Sequence, residues 1–516
     1  MKSADLTVSY LEVLKLASPE AIVVITALSV LSIALATGRL KSTATVSTVK
    51  PAHSAKDTST AMGICSAIAA LGLGLAIGAV LMLPRYATLF GGMLVITPLA
   101  SLFKIICIAL AFFTVLLTTS EKSLRHPVEY LALILFATVG LMLLVGSEEL
   151  LMIFIGLELL GLSLYVMTAF DKTDVRSAEA GLKYFLFGST SSAFTFFGIS
   201  LIYGMSGTTS LAAVSGKLAA LPVQPLLVVG LVMTLIGFGF KIAAAPFHLW
   251  APDAYQGAPI PSAAFIASGS KVASFVVLGK IVLVGFAPLH GDASWHAMVA
   301  GWSPVLAALA ALSILVGNLV ALAQSNVRRL LAYSAVAHAG YTLIGLIASD
   351  RDGFSAALFY ATIYAITLVG AFGVVAMVRR ETDGDDFSNF RGLASRSPLM
   401  AGCMSVFMLS LAGIPPLAGF FGKFYLFSAA LRAELNHGLL WLVAVALLGS
   451  FISLYYYLMV LKTIFVDEPA PATVRHVGVV PAALLPRATV AVLAAAVLLL
   501  GITPWILQAP ILAAIP

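Results

Sequence analysis

The chain has 516 residues, of which 60% are hydrophobic and only 10% charged, with a formal net charge of +6. Soluble domains carry about 25% charged residues, so this composition excludes an ordinary soluble protein and predicts one built into a membrane. The positive balance does not point to nucleic acid, because the basic residues are divided among loops and apolar segments rather than gathered in a patch.

A bilayer-spanning helix needs about 20 mainly apolar residues. In chain order, fourteen stretches meet that need: 17–38, 60–83, 95–119, 128–146, 149–170, 179–205, 223–250, 260–287, 302–323, 329–349, 354–378, 397–431, 438–466 and 485–508. The expected fold is all-α and polytopic. The first span follows a polar start and reads as a retained helix rather than a cleaved leader. Stretch 397–431 is too long for one straight span, and 223–250 is also generous. Gly38–Thr58, Arg379–Ser397 and Val466–Ala483 read as polar connectors. Seventeen Lys and Arg residues fall in loops after odd-numbered spans, against six in the termini and the other loops. The positive-inside rule then makes the seventeen-residue face cytoplasmic and turns both termini outward.

Cys65, Cys107 and Cys403 all lie in apolar spans without metal-site spacing, and no phosphate-binding glycine motif occurs. These residues predict no metal or cluster site and give no support for nucleotide hydrolysis or dinucleotide binding.

Four ionisable residues stand isolated inside apolar stretches: Glu158, Lys241, Lys271 and Lys423. Such groups are expensive in a bilayer and mark ion or proton paths. Glu158 needs a partner, and Lys241 is the natural one. Its bland alternative is a protonated, hydrogen-bonded structural carboxyl. Lys271 is flanked by Ser268, Gly269, Ser270 and Ser274, which leave room for water. Burial disfavours an ammonium, so lysine can act as a relay, whereas arginine does not deprotonate in proteins. Lys183, one turn into its span, fits snorkelling to the interface as well as a place beside Glu158. Lys104 and Lys280, near span ends, read as interfacial. His248 and His338 could bridge lysines through water or be satisfied core imidazoles. The run Tyr455–Tyr457 reads as packing or an interface belt.

An internal echo links two of the lysines. Gly237-Phe-Gly-Phe-Lys241 meets Pro246 five residues later, and Pro415-Pro416 precedes Lys423 by a similar distance. Proline frees backbone carbonyls within a span, and spans seven and twelve differ by an odd number of helices. That offset predicts an inverted repeat with broken helices at its ion sites.

The strings GLELLGLSLYVMTAF (156–170), EAGLKYFLFGSTSSAFTFFGISLIYG (179–204), FKIAAAPFHLWAPDAYQGAPIPSAAFIASGSKVASF (240–275), RRLLAYSAVAHAGY (328–341) and SLAGIPPLAGFFGKFYLF (410–427) resemble the antiporter-like subunits of the respiratory complex I membrane arm. The resemblance runs from about residue 90 to 465. It implies about fourteen helices in two inverted five-helix repeats, with helices seven and twelve discontinuous. The segments would be 1–127 (helices 1–3), 128–300 (helices 4–8), 301–466 (helices 9–13) and 467–516 (helix 14). It implies that Glu158 and Lys241 are the charge pair of one half-channel, Lys271 the central relay and Lys423 the lysine of the second half-channel. Lys423 distinguishes the chain from subunit M, which usually has glutamate there. Within the family the chain most resembles the counterpart of the mitochondrial second subunit, and its short segment after the last span differs from the long lateral helix expected of subunit L. The resemblance further implies proton translocation coupled to quinone reduction elsewhere, with flavin, Fe–S clusters and quinone in other subunits. Its implied partners are subunit M and the small K- and J-type subunits in a bacterial inner membrane or its equivalent. A subunit of a multi-subunit Na⁺/H⁺ antiporter is the alternative.

Overall fold

The computed structural model describes residues 10–43, 54–119, 121, 124, 126–220, 222, 224–296, 298–433, 438–468 and 484–515. The expected connectors at 44–53 and 469–483 lie outside the described residues, as do Lys122, Arg125 and the terminal Pro516.

Long apolar runs with few helix breakers fold as helices, since a chain in lipid must satisfy its backbone groups internally. In order these are α1 (Tyr10–Leu16), α2 (Ser18–Thr43), α3 (Ser54–Leu81), α4 (Pro98–Thr118), α5 (Pro127–Val145), α6 (Leu150–Thr168), α7 (Val175–Ser206) and α8 (Leu211–Ala219). The middle of the chain forms α9 (Pro225–Lys241), α10 (Trp250–Gly257), α11 (Ile260–Ala267), α12 (Gly269–Lys280), α13 (Trp302–Leu322), α14 (Val327–Ile347) and α15 (Arg351–Thr382). Then come the short α16 (Phe387–Phe390) and α17 (Leu393–Arg396), followed by α18 (Pro398–Ala412), α19 (Ala418–Arg432), α20 (Leu440–Phe465), α21 (Leu484–Ile502) and α22 (Trp505–Ala514). Polar caps set several starts: Thr97 accepts from the Ala100 N–H, Glu149 from Met152 and Asp350 from Gly353. Among the described residues the one sheet is a small antiparallel hairpin, β1 (Ala87–Leu89) with β2 (Leu94–Ile96), between α3 and α4.

Eleven described segments are long and apolar enough to cross a membrane unaided, or twelve if the bent pair α1–α2 counts as one. The expected seventh and twelfth spans are each two shorter helices around a proline-containing break, α9/α10 and α18/α19. This explains why the corresponding sequence stretches looked over-long. The described residues therefore form an all-α, polytopic integral membrane protein.

Burial locates the centre of the bundle. In the 18-residue apolar stretches of Ile260–Gly285, Val327–Ile347 and Arg351–Thr382, 94% of residues are buried, against 33% for Val175–Ser206. These three innermost spans carry Lys271, His338 and a pair of tyrosines, so the polar side chains run through the middle of an apolar body.

Candidate functional site

At one end of this polar row, α6, α7 and α9 enclose Glu158 and Lys241. Glu158, Gly161 and Tyr165 share one face of α6 through their three- and four-residue spacings. With Gly188, Ser191, Ser192 and Thr195 of α7 and Gly237, Phe240 and Lys241 of α9, that face lines a cavity of about 20 Å³, enough for one water molecule. Lys241 is buried, and its Nζ lies over Gly161: a Cβ there would come 3.4 Å from Nζ and 3.2 Å from Tyr165 Oη. Glycine at 161 leaves this face of α6 open to both groups. Glu158 is half-buried and accepts a hydrogen bond from Ser192 Oγ. The carboxylate and ammonium feel each other's charge across the cavity but form no direct ion pair.

The break that ends α9 is rigidly held. Ala243 takes a left-handed backbone (φ 58°), Ser313 Oγ accepts from the Ala245 N–H at 2.8 Å, and Trp250 Nε1 donates to Phe240 O at 3.1 Å. Pro246 lies in this break. His248, also in it, is buried with its Nδ1 lacking a hydrogen-bond partner among the described residues, and its ring meets Tyr333 edge-on. His248 therefore belongs to the break, and no contact joins it to Lys271 or Lys423.

The second group is continuous. Lys271 of α12 donates to Ala335 O of α14 at 2.7 Å, with its Nζ 5.6 Å from the centre of the Tyr364 ring. Tyr364 stacks on His338 at 4.8 Å, and Tyr341 meets the same imidazole edge-on at 5.6 Å. Lys423 Nζ lies 5.2 Å from the Tyr341 ring and donates to Ala412 O, the last residue of α18, at 3.0 Å. Pro415 and Pro416 form the break that leaves this carbonyl outside the regular helical ladder. His338 is saturated: its Nδ1 faces Tyr360 Oη at 2.7 Å and its Nε2 faces Tyr457 Oη at 3.0 Å, with Ser334 Oγ 2.5 Å from Tyr457 Oη. The row Lys271–Tyr364–His338–Tyr341–Lys423 thus crosses the bundle centre in van der Waals and polar contacts.

Among the described residues, no carboxylate lies within ion-pair distance of Lys241, Lys271 or Lys423. A buried ammonium ordinarily needs a counter-charge or several dipoles. These three have a carbonyl, an aromatic face or a remote acid instead, an environment suited to groups that exchange protons.

Other expected positions move. Lys183 does not reach Glu158: its Nζ pairs with Glu179 at 2.6 Å and Asp253 at 2.8 Å, and Arg329 joins the same Asp253 at 2.8 Å. It belongs to a partly exposed network because it sits about two turns from the start of the peripheral α7, where its long side chain reaches water. The interfacial reading of Lys104 and Lys280 is overturned. Both are buried, Lys104 against Glu20 and Lys280 against the carbonyls of Val145 and Ser147. The tyrosine run also splits. Tyr455 is exposed, whereas Tyr456 donates to Asn318 Oδ1 and Tyr457 serves His338. Tyr341, Tyr360, Tyr364, Tyr457 and Ser334 are site residues that sequence reasoning missed. Their signal was spacing: Ser334, His338 and Tyr341 at four and three residues on α14, and Tyr360 and Tyr364 at four on α15. No cluster of three His, Cys, Asp or Glu side chains able to hold a metal occurs among the described residues.

Residues 147–453 match the family described as NADH:quinone oxidoreductase/Mrp antiporter, TM. The chain is 49% identical to NADH-quinone oxidoreductase subunit N 2 of Acidobacterium capsulatum, over 83% of this chain and 87% of that protein. It is 41% identical to NADH-quinone oxidoreductase subunit N of Desulforamulus reducens, over 80% and 84% respectively. Among solved structures, a chain of respiratory complex I from Thermus thermophilus with bound Aureothin aligns with a TM-score of 0.73 at 30% identity, covering 95% of this chain and 98% of that one. A chain of the Mrp complex from Dietzia sp. DQ12-45-1b aligns with a TM-score of 0.76 at 21% identity over 97% of both, a likeness of fold alone. The chain belongs to the antiporter-like membrane subunits of NADH-quinone oxidoreductase, in the subunit N branch.

Proposed function

We propose that this subunit carries protons across the membrane arm of a quinone-reducing complex, using Glu158, Lys241, Lys271 and Lys423 as the exchanging groups. The observation that carries the reading is the set of three buried lysines with no carboxylate in ion-pair contact. A structural cation in lipid would be expected to keep its counter-ion. Glu158 sets the charge of Lys241 through the shared cavity. Lys271 and Lys423 exchange protons along the His338–tyrosine row, and Pro246, Pro415 and Pro416 open the helices where the lysines need carbonyl and water partners. His248 and Lys183 support the break and its network rather than the path. The segments 128–300 and 301–466 serve as the two inverted repeats, after 1–127 and before 467–516.

Quinone reduction and its flavin and Fe–S centres belong to other subunits in this reading, and the neighbours are subunit M and the small J- and K-type subunits. The charge split supports an orientation with both termini outside a bacterial inner membrane, which a reporter fused after Pro516 tests; a cytoplasmic signal overturns that orientation. The Na⁺/H⁺ antiporter alternative is addressed by copurification, since the proposed subunit copurifies with the quinone-reducing module.

The direct test is donor-driven acidification in membranes carrying Glu158→Ala or Lys241→Ala. Each variant is expected to assemble and to lose proton movement. Full movement in both would remove the pair from the path.

A further inference from the structure

A second buried charge cluster lies well away from the polar row. The turn between α5 and α6, Gly146–Glu149, is clasped on one side by the β-hairpin, through Val95 N–H to Gly146 O at 2.7 Å and Glu148 N–H to Gly92 O at 3.1 Å. On the other side Leu211 N–H donates to Glu148 O at 3.0 Å. Two lysines from distant parts of the chain converge on this turn. Lys104 of α4 passes directly over Gly146, where a Cβ would come 2.6 Å from its Cε and 3.0 Å from its Nζ. Any side chain at 146 would displace it. Lys280, the last residue of α12, donates to Val145 O at 2.9 Å and Ser147 O at 3.3 Å, the carbonyls flanking that glycine. Immediately after it the helix widens into a π turn, Ile281–Gly285, a distortion frequent at functional sites.

The counter-charges are graded in exposure. Glu20 of α2 pairs with Lys104 at 2.6 Å, the lysine side chain being 1% exposed and the carboxylate 10%. Beyond this contact, neither the carboxylate oxygens nor the ammonium has a hydrogen-bond partner among the described residues. Lys280 approaches Glu148 at 3.7 Å, and that carboxylate is 44% exposed. Glu149 is occupied in capping α6. A chain of titratable groups therefore runs from a sealed pair, through a buried lysine, to an acid in contact with the surface. Lys104 and Lys280 repel one another across the turn. Helix anchorage alone needs neither two buried ammoniums on one turn nor an outlet.

We propose that Glu20, Lys104, Lys280 and Glu148 form a proton-release site at the outer end of this subunit, an inference that rests on the proton-carrying reading above. Lys280 takes up a proton from the interior as its ammonium, passes it to the Glu148 carboxylate, and Glu148 releases it to surface water. One proton enters and one leaves, and nothing is oxidised or reduced. The Lys104 ammonium, facing Lys280 across the turn, favours that transfer by repulsion, while Glu20 remains the partner of Lys104 and exchanges no proton. Helix α12 carries both Lys271 and Lys280, so the same element joins the central row to the outlet.

The test uses the whole complex in native membranes with Lys280→Arg, Lys280→Met and Glu148→Gln, and Lys241→Ala in parallel. Protons moved per electron and complex content are both measured. Lys280→Arg keeps the charge and the carbonyl contacts but cannot release the proton, so it is expected to fall to the ratio of Lys280→Met. A wild-type ratio in assembled Lys280→Arg overturns the proposal. If neither Lys280 variant assembles, the half-exposed Glu148→Gln decides: a reduced ratio supports release through it, and an unchanged ratio overturns it. Normal pumping by Lys241→Ala as well would mean that the proton-carrying reading itself fails. Loss in Lys241→Ala with normal Lys280→Arg would mean that only the release site fails.

Discussion

Lys241 and Lys423 stand at the two broken helices, yet their surroundings differ in kind. Each break contains a cis X–Pro bond, Ala245–Pro246 and Pro415–Pro416, and a left-handed residue, Ala243 and Gly413. Lys241 closes the helix before its break, whereas Lys423 lies one turn into the helix after its break. Lys241 shares a water-sized cavity with Glu158. Lys423 has a backbone carbonyl and the face of Tyr341 in place of an acid. The backbone device is repeated while the counter-group is not. At the first site the lysine faces a titratable acid across a cavity, and at the second it faces fixed dipoles.

This contrast is broken or sharpened most strongly at the pair. Glu158→Ala and Lys241→Ala each leave one buried charge without its partner, a loss of about 3–5 kcal/mol for a fully buried ion pair. The separation and partial exposure of Glu158 place the expected cost below that range. The double variant is expected to be less destabilised than the sum of the singles, with a coupling of about 0.5–3 kcal/mol. Thermal melts of the complex in membranes measure it, and strict additivity would mean that the two groups do not act as a pair.

Lys423→Met strands no acid. It is expected to assemble and melt close to wild type while proton movement fails, the reverse balance from the first site. Melting as early as Lys241→Ala would reveal a counter-charge at Lys423 and erase the comparison. The smallest effects come from the tyrosines between the lysines. Tyr457→Phe deprives both Ser334 and His338 of their partner and is expected to cost about 1–3 kcal/mol. Tyr364 Oη has no partner among the described residues, so Tyr364→Phe is expected to change stability by no more than about 0.5 kcal/mol. Equal losses in the two would contradict the hydrogen-bond assignments.

The difference between the sites also explains what could be read from sequence. A lone charge in an apolar run is conspicuous, so Glu158, Lys241, Lys271 and Lys423 were legible, and the prolines announced the broken helices. Their tyrosine and serine neighbours were not, because such residues are also common at membrane interfaces and only the packing of α14, α15 and α20 brings Ser334, Tyr360 and Tyr457 to His338. Position near a span end misled for Lys104 and Lys280. A lysine there snorkels unless partners hold it inside, and here Glu20 holds Lys104 while the carbonyls of the α5–α6 turn hold Lys280. Lys183, at a similar depth, does reach the surface because α7 stands at the periphery. The distinction is one of tertiary cover, which periodicity does not encode.

The central claim is that the innermost lysines release protons rather than merely supply charge. Lys271→Arg tests it most directly, measured as donor-driven acidification per electron alongside the amount of assembled complex. Arginine keeps the positive charge in the Ala335 and Tyr364 environment but holds its proton. The expected result is an assembled complex that reduces quinone with impaired proton movement. An assembled Lys271→Arg complex with full proton translocation would contradict the account.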